Sequence, residues 1–156
     1  MFSRICLFFC FICLATSTLA SSLQISPVRL DLSSNQPIGT LDLTNQGVAS
    51  TIVQVRLMQW SQKNSEDNYQ NTKELIVTPP IMTIAPSQQQ LIRVALRHPL
   101  NANKELAYRL YLKELPPPKA PNFKGVQVLS EISLPVFITP TAPLVESLRW
   151  TAKIIN

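Results

Sequence analysis

Four features of the 156-residue sequence predict an all-β fold, an immunoglobulin-like β-sandwich of seven strands. Apolar and polar residues alternate in one segment after another, the period of a strand with one buried face. Thirteen prolines stand against three glycines, and β-branched residues are frequent, a composition suited to strands and turns. No segment longer than a turn or two keeps a helical period. The strands recur roughly every 10 residues, the rhythm of antiparallel sandwiches.

The elements follow in chain order. "LQISPVRLDL" (23–32) opens with alternating Leu23 and Ile25 and resumes after Pro27. "IGTLDLTN" (38–45) alternates less regularly through Ile38, Leu41 and Leu43 and ends at Asn45-Gln46-Gly47, a turn signal. "STIVQVRLMQW" (50–60) sets Val53, Val55 and Leu57 on one face and Arg56, Met58 and Trp60 on the other. The polar run "SQKNSEDNYQNTKE" (61–74) has no apolar period and reads as a hairpin loop. "LIVTPPIMTIAP" (75–86) reads as two short strands broken by Pro79-Pro80. "QQQLIRVALR" (88–97) alternates Ile92, Val94 and Leu96 against Leu91, Arg93 and Ala95. "KELAYRLYLKEL" (104–115) places Leu106, Tyr108, Leu110 and Leu112 on one face, opposite Ala107, Arg109, Tyr111 and Lys113.

The last strand, "GVQVLSEISLPVFITP" (125–140), carries the longest row: Val126, Val128, Ser130, Ile132, Leu134, Val136 and Ile138. Only Ser130 interrupts it. Pro135 cannot donate a ladder hydrogen bond, which places this strand at a sheet edge. A long apolar edge strand is open to pairing with another chain.

Residues 1–20 read as a signal peptide: Arg4, an apolar run from Ile5 to Ala15, then Thr18-Leu19-Ala20 resembling a small-residue cleavage site. The apolar run is short for a membrane span, which disfavours an uncleaved anchor. Its removal leaves 136 of the 156 residues, room for one domain at 21–140, followed by 141–156. Cys6, Cys10 and Cys13 all leave with it, so the exported domain is held by packing alone and has no thiol nucleophile or cysteine-based metal site. The net charge falls from +5 to +4 with the loss of Arg4. This is too weak and too dispersed a basic balance for a nucleic-acid surface.

Catalysis has little to draw on. His98 stands alone beside Pro99, the nine carboxylates are scattered, and glycine is too rare for a phosphate-binding loop. No enzymatic activity and no cofactor are expected. The polar residues that stand out are Arg29 in "SPVRLDL" and Arg109 in "AYRLYLKELPPP". An arginine on a strand face either reaches solvent, pairs with a nearby acid (for Arg109, Glu105 or Glu114), or anchors a carboxylate brought by another chain.

"LNANKELAYRLYLKELPP" (100–117), with its closing double proline, resembles the signature of the periplasmic pilus-assembly chaperones of the chaperone–usher pathway, the PapD-like family. "VTPPIMTIAPSQQQLIRVAL" (77–96) resembles the same family in the spacing of its prolines and arginine. The likeness covers about residues 23–140. Leu106, Arg109 and Tyr111 depart from the family pattern, and the pattern is nearer to the archaic branch. The resemblance implies two immunoglobulin-like domains, the first lending a strand to a pilus subunit and passing it to an outer-membrane usher in the periplasm. It implies Val126, Val128, Ile132 and Leu134 as donor residues and Arg29 as one anchor for the subunit's carboxylate. The family's second anchor, a lysine late in the last strand, falls on Pro135; Arg109 on the neighbouring strand is the expected replacement. The tail "LVESLRWTAKIIN" (144–156) resembles the first strands of a second domain, so the chain is expected to be a truncated form. Nucleic acid and stable membrane insertion after signal cleavage are not expected. Self-association through the uncovered edge is. The rival readings are a pilus structural subunit, disfavoured by the missing disulfide, and an exported hydrolase or sugar-binding β-sandwich module.

Overall fold

The structure, a computed structural model, describes residues 23–99, 103–116, 126, 128–140 and 149–151. The expected signal peptide and most of the tail lie outside the described residues.

Among the described residues, ten strands form two packed sheets. The first sheet runs β1 (Leu23–Ser26), β3 (Ile38–Asn45), β8 (Gln89–Leu96), β6 (Leu75–Thr78), all antiparallel. The second runs β2 (Leu30–Leu32), β10 (Glu131–Ile138), β9 (Leu106–Leu115), β4 (Thr51–Lys63), β5 (Glu66–Asn71), with β7 (Ile81–Ile84) also paired to β4. The sequence suggests seven strands; the additional ones have local causes. The opening segment divides at Pro27, β1 joining one sheet and β2 the other. Pro79-Pro80 does the same for β6 and β7. In both places a proline ends one ladder, and the chain crosses the sandwich before pairing resumes.

The polar run at 61–74, expected as the loop of a hairpin, instead carries most of the hairpin's own strand pairing. β4 continues to Lys63, turns through Asn64 and Ser65, and returns as β5 with Lys63 opposite Glu66. Both turn residues have positive φ, 55° and 65°, as a two-residue turn matched to the strand twist requires. Asparagine tolerates that region and serine less so. Every residue of β5 is exposed, so backbone pairing forms this strand and hydrophobic periodicity could not announce it.

The core collects the inward residues of both sheets: Leu41 and Leu43, Val53 and Val55, Ile92 and Val94, Tyr108, Leu110 and Leu112, Val136 and Ile138. Tyr108 is wholly buried, and its hydroxyl donates to a Glu74 carboxylate oxygen. That bond and burial push its phenol well above the ordinary tyrosine range, with burial the larger cause. Asn45, 3% exposed, ties the β3–β4 turn to β7. Its amide nitrogen donates to the carbonyls of Ala49 (2.8 Å) and Ile84 (2.9 Å), and its side-chain oxygen accepts from the Gly47 N–H. The turn signal at 45–47 is thus an Asx turn with a second, long-range function.

Leu110→Ala should destabilise the domain by about 2–5 kcal/mol through lost burial and an unfilled cavity. Asn45→Ala should cost about 1–3 kcal/mol by leaving the buried Ile84 carbonyl short of a donor. Urea unfolding checks both: the midpoint should fall while the denaturant slope stays unchanged.

Candidate functional site

The register of β10 decides what its sequence presents. It pairs antiparallel with β9 along its whole length, from Glu131 opposite Lys113 to Ile138 opposite Leu106. The Glu114 N–H donates to the Ser130 carbonyl, so even-numbered residues direct their backbone groups to β9. The odd-numbered ones point away, as the Thr139 N–H donating to Leu32 on the other side confirms. Pro135 is odd. Its missing N–H costs no bond to β9, but β10 is not the edge strand the sequence indicates, because β2 lies outside it. On that outer side β2 reaches only Val136, Phe137 and Ile138. Along Glu131–Pro135 no described strand pairs with the outer edge of β10.

The apolar row divides at the same place. Val136 and Ile138 are fully buried, Leu134 is 7% exposed, and Ile132 packs partly against the core. Val126 and Val128 lie before the strand and are 90% and 83% exposed. Among the described residues, this last strand begins at Glu131. Of the four expected donors, Leu134 packs into the domain's own core, Ile132 packs partly against it, and Val126 and Val128 lie outside it. Glu114 marks the boundary. It is itself 6% exposed and accepts the Ser130 N–H at 2.9 Å, so both backbone groups of Ser130 are held by Glu114.

Arg29 and Arg109 share the outer face of the larger sheet. Arg109 stands opposite Pro135 on one side and Met58 on the other. Arg29 precedes Leu30, the partner of Val136, and so stands level with Pro135. The three positions form one cross-strand row with Pro135 in the middle, which sets the two arginine backbones about 10 Å apart, two strand spacings.

Their surroundings differ. Arg29 is bound to Asp31: Nη2 to Oδ1 at 2.6 Å, Nε to both carboxylate oxygens at 2.9 Å. Its guanidinium lies 4.6 Å from the Phe137 ring centroid. The Asp31 hydrogen bond, foremost, raises its pKa. Arg109 is half-buried, with its guanidinium 4.3 Å from the Trp60 ring centroid and its Nε buried without a hydrogen-bond partner. Neither Glu105 nor Glu114 forms an ion pair with it.

Trp60 is in turn fixed from the β4–β5 hairpin. Its indole N–H, the Gln62 amide and the Tyr69 hydroxyl all donate to Asp67 at 3.0 Å. Tyr69 meets the edge of Tyr111, centroids 6.1 Å apart at 78°. Donation from Trp60, then Gln62 and Tyr69, and the nearby Arg109 charge hold the Asp67 carboxyl below its ordinary 3.8. Desolvation first, and donation to Asp67 second, push the Tyr69 phenol up to about 12. Sequence reasoning missed this bracket because it rests on the unread hairpin; Trp60, on the polar face of β4, was the available signal. Among the described residues no group of three or more His, Cys, Asp or Glu is placed to hold a metal ion, and none forms a helix long and apolar enough to cross a membrane.

The family described as pili and flagellar-assembly chaperone, PapD N-terminal domain, matches residues 22–143. No curated protein matches. Among solved structures, the chain is similar to the CsuC–CsuE chaperone–tip adhesion subunit pre-assembly complex from archaic chaperone–usher Csu pili of Acinetobacter baumannii. The TM-score is 0.68 at 24% identity, over 78% of this chain and 58% of that one. It is similar also to the class 5 fimbriae chaperone CfaA (0.67, 15%, over 80% and 59%). A third likeness is to the Salmonella enterica SafA pilin in complex with the SafB chaperone (0.63, 17%, over 81% and 58%). The chain thus spans less than two thirds of the length of these structures, and at such identities the likeness establishes the fold.

The Asp67 bracket has a defined pH signature. Because its folded pKa is lowered, Asp67 contributes stability that is fully present above the ordinary value of 3.8 and is lost as pH falls through the lowered one. Asp67→Ala should therefore be less stable than the parent at pH 7, with the difference closing only below that range. Thermal unfolding from pH 7 to 2 measures it. A difference that persists undiminished at pH 2 would show that the carboxylate's charge is not its source.

Proposed function

The chain belongs to the pili and flagellar-assembly chaperone family through its PapD N-terminal domain, and from that premise we propose that it caps pilus or fimbrial subunits in the periplasm by lending them a strand, then delivers them to an outer-membrane usher. The observation that carries this reading is the outer edge of β10. Among the described residues no strand pairs with it along Glu131–Pro135, and it continues the line of two almost fully exposed valines. Strand addition needs both properties: free backbone groups supply affinity, and alternate side chains fill the partner's pockets.

Val126, Val128 and Ile132 share the parity of the buried row, so in an extended strand they project from the same face as Leu134 and Val136. They are the donor residues of this reading, with Ser130 in a shallower pocket. Capture of the subunit's terminal carboxylate falls to Arg29 and Arg109. A half-buried guanidinium with a buried, unpartnered N–H is a costly arrangement, about 1–3 kcal/mol for such a group. An arriving carboxylate offsets that cost with charge-assisted hydrogen bonds. Capping also covers an edge that otherwise invites pairing between copies of this chain.

The test is to co-express the protein with a pilus subunit from the same organism, isolate the one-to-one complex, and follow loss of subunit aggregation. Arg109→Ala should weaken capture by about thirtyfold or more, the scale for truncating one partner of a desolvated charge pair. Lys119→Ala should have little effect. Val128→Lys should prevent capture while leaving the unfolding midpoint in place, because Val128 is outside the core. Equal losses at Arg109 and Lys119 would remove Arg109 from the anchor, and a subunit never retained by the parent would remove the chaperone reading.

A further inference from the structure

The two arginines that flank Pro135 are in opposite electrostatic states, and this carries a further inference. Arg29 is neutralised on its own strand: Asp31, two residues on and on the same face, takes its Nε and Nη2, one edge of the planar fork. Both side chains remain about half exposed, 56% for Arg29 and 49% for Asp31, so the pair sits at the surface where another chain can reach it. Phe137 lies beneath the guanidinium, which fixes its plane and leaves rotation within that plane as the easy motion. Arg109 has no carboxylate within ion-pair distance among the described residues, and its charge is uncompensated on contact.

We infer that Asp31 gates Arg29: a carboxylate from a partner gains Arg29 only by displacing Asp31 from the fork, while Arg109 receives it without competition. This rests on the carboxylate-anchor reading given above. Arg109 is then the first point of capture and Arg29 the second, conditional one. The exchange replaces one exposed pair by another, so it discriminates among partners. A terminal carboxylate held in register by strand pairing competes with Asp31 effectively. A freely diffusing anion does not, because its binding has no backbone ladder to offset the lost pair.

The probe is a synthetic peptide of alternating valine and threonine with a free terminal carboxylate, compared with its terminal amide by isothermal titration against the full exported chain. Asp31→Asn should tighten the acid form by about two- to fivefold, the scale of an exposed ion pair, and leave the amide form unchanged. In the Arg29→Ala background the same substitution should give no gain. Asp42→Asn, which changes net charge equally but lies on the other sheet, should give none either. A gain that survives the loss of Arg29, or appears equally with Asp42→Asn, overturns the gate in favour of long-range charge. Weaker or unchanged acid binding in Asp31→Asn, with Arg29→Ala still impaired, overturns the gate but keeps the anchor, with Asp31 only orienting Arg29. If Arg29→Ala binds acid and amide as the parent does, or the parent holds neither, the anchor reading fails and the gate with it.

Discussion

The antiparallel ladder between β9 and β10 is the constraint from which the rest follows. Its register sends the even-numbered side chains of β10 into the core and turns the odd-numbered backbone groups away from β9. One choice therefore settles three matters. Leu134, Val136 and Ile138 complete the sandwich. Pro135 falls where its missing donor is not needed. Its direct neighbour across the ladder is Arg109, on the outer face. A slip by one residue would invert every one of these assignments, so the buried half of β10 guarantees the geometry of its exposed half.

That division of labour explains how one strand can be both stable and available. From Leu134 onward β10 is fastened by core packing, by β9, and near its end by β2 as well. Upstream the outer fastening stops, and by Val128 the core has stopped too. Glu114 sits at the boundary and binds both backbone groups of Ser130, so the free segment departs from a fixed point. An edge this apolar is ordinarily an aggregation hazard; here the hazard is confined to a short run whose direction is set by the folded part. The same economy appears at Pro27 and Pro79-Pro80, where a proline ends pairing in one sheet and the chain begins it in the other.

The sequence made most of the sandwich legible because its buried strands alternate cleanly: Tyr108, Leu110 and Leu112 inward, Arg109 and Tyr111 outward, and Ile92 with Val94 against Arg93. It failed where burial does not shape the strand. β5 is exposed along its whole length and owes its form to pairing with β4 and to the Asn64-Ser65 turn, so "EDNYQN" carried no apolar period to read. The row beginning at Val126 erred in the other direction. Alternation announces a strand wherever it occurs, but whether the partner face belongs to this domain or to another is a property of length and depth of the core. Composition could not reveal that Leu134 is spent at home and Val128 is not. Asp31 shows the same limit, since its proximity to Arg29 follows from strand parity, while the strength of the contact depends on Phe137 arriving from 106 residues downstream in the chain.

The bracket around Arg109 gives physical meaning to the proline at 135. A lysine on an edge strand is a flexible point charge that surrenders much rotamer freedom on binding. Arg109 is on a central strand, between β10 and β4, with its guanidinium laid on Trp60 and Trp60 held by Asp67. The planar fork is thus held in the chain by itself, and in the proposed anchor less entropy would be lost per hydrogen bond formed. Pro135 contributes by what it lacks: with no long side chain between the two arginines, the row from Arg29 to Arg109 is open across its middle. The proposed anchor depends on the β4–β5 hairpin, because Asp67 and Tyr69 come from β5. In the proposed function the exposed hairpin, which adds nothing to the core, thus earns its place by stiffening the charge that β10 does not carry.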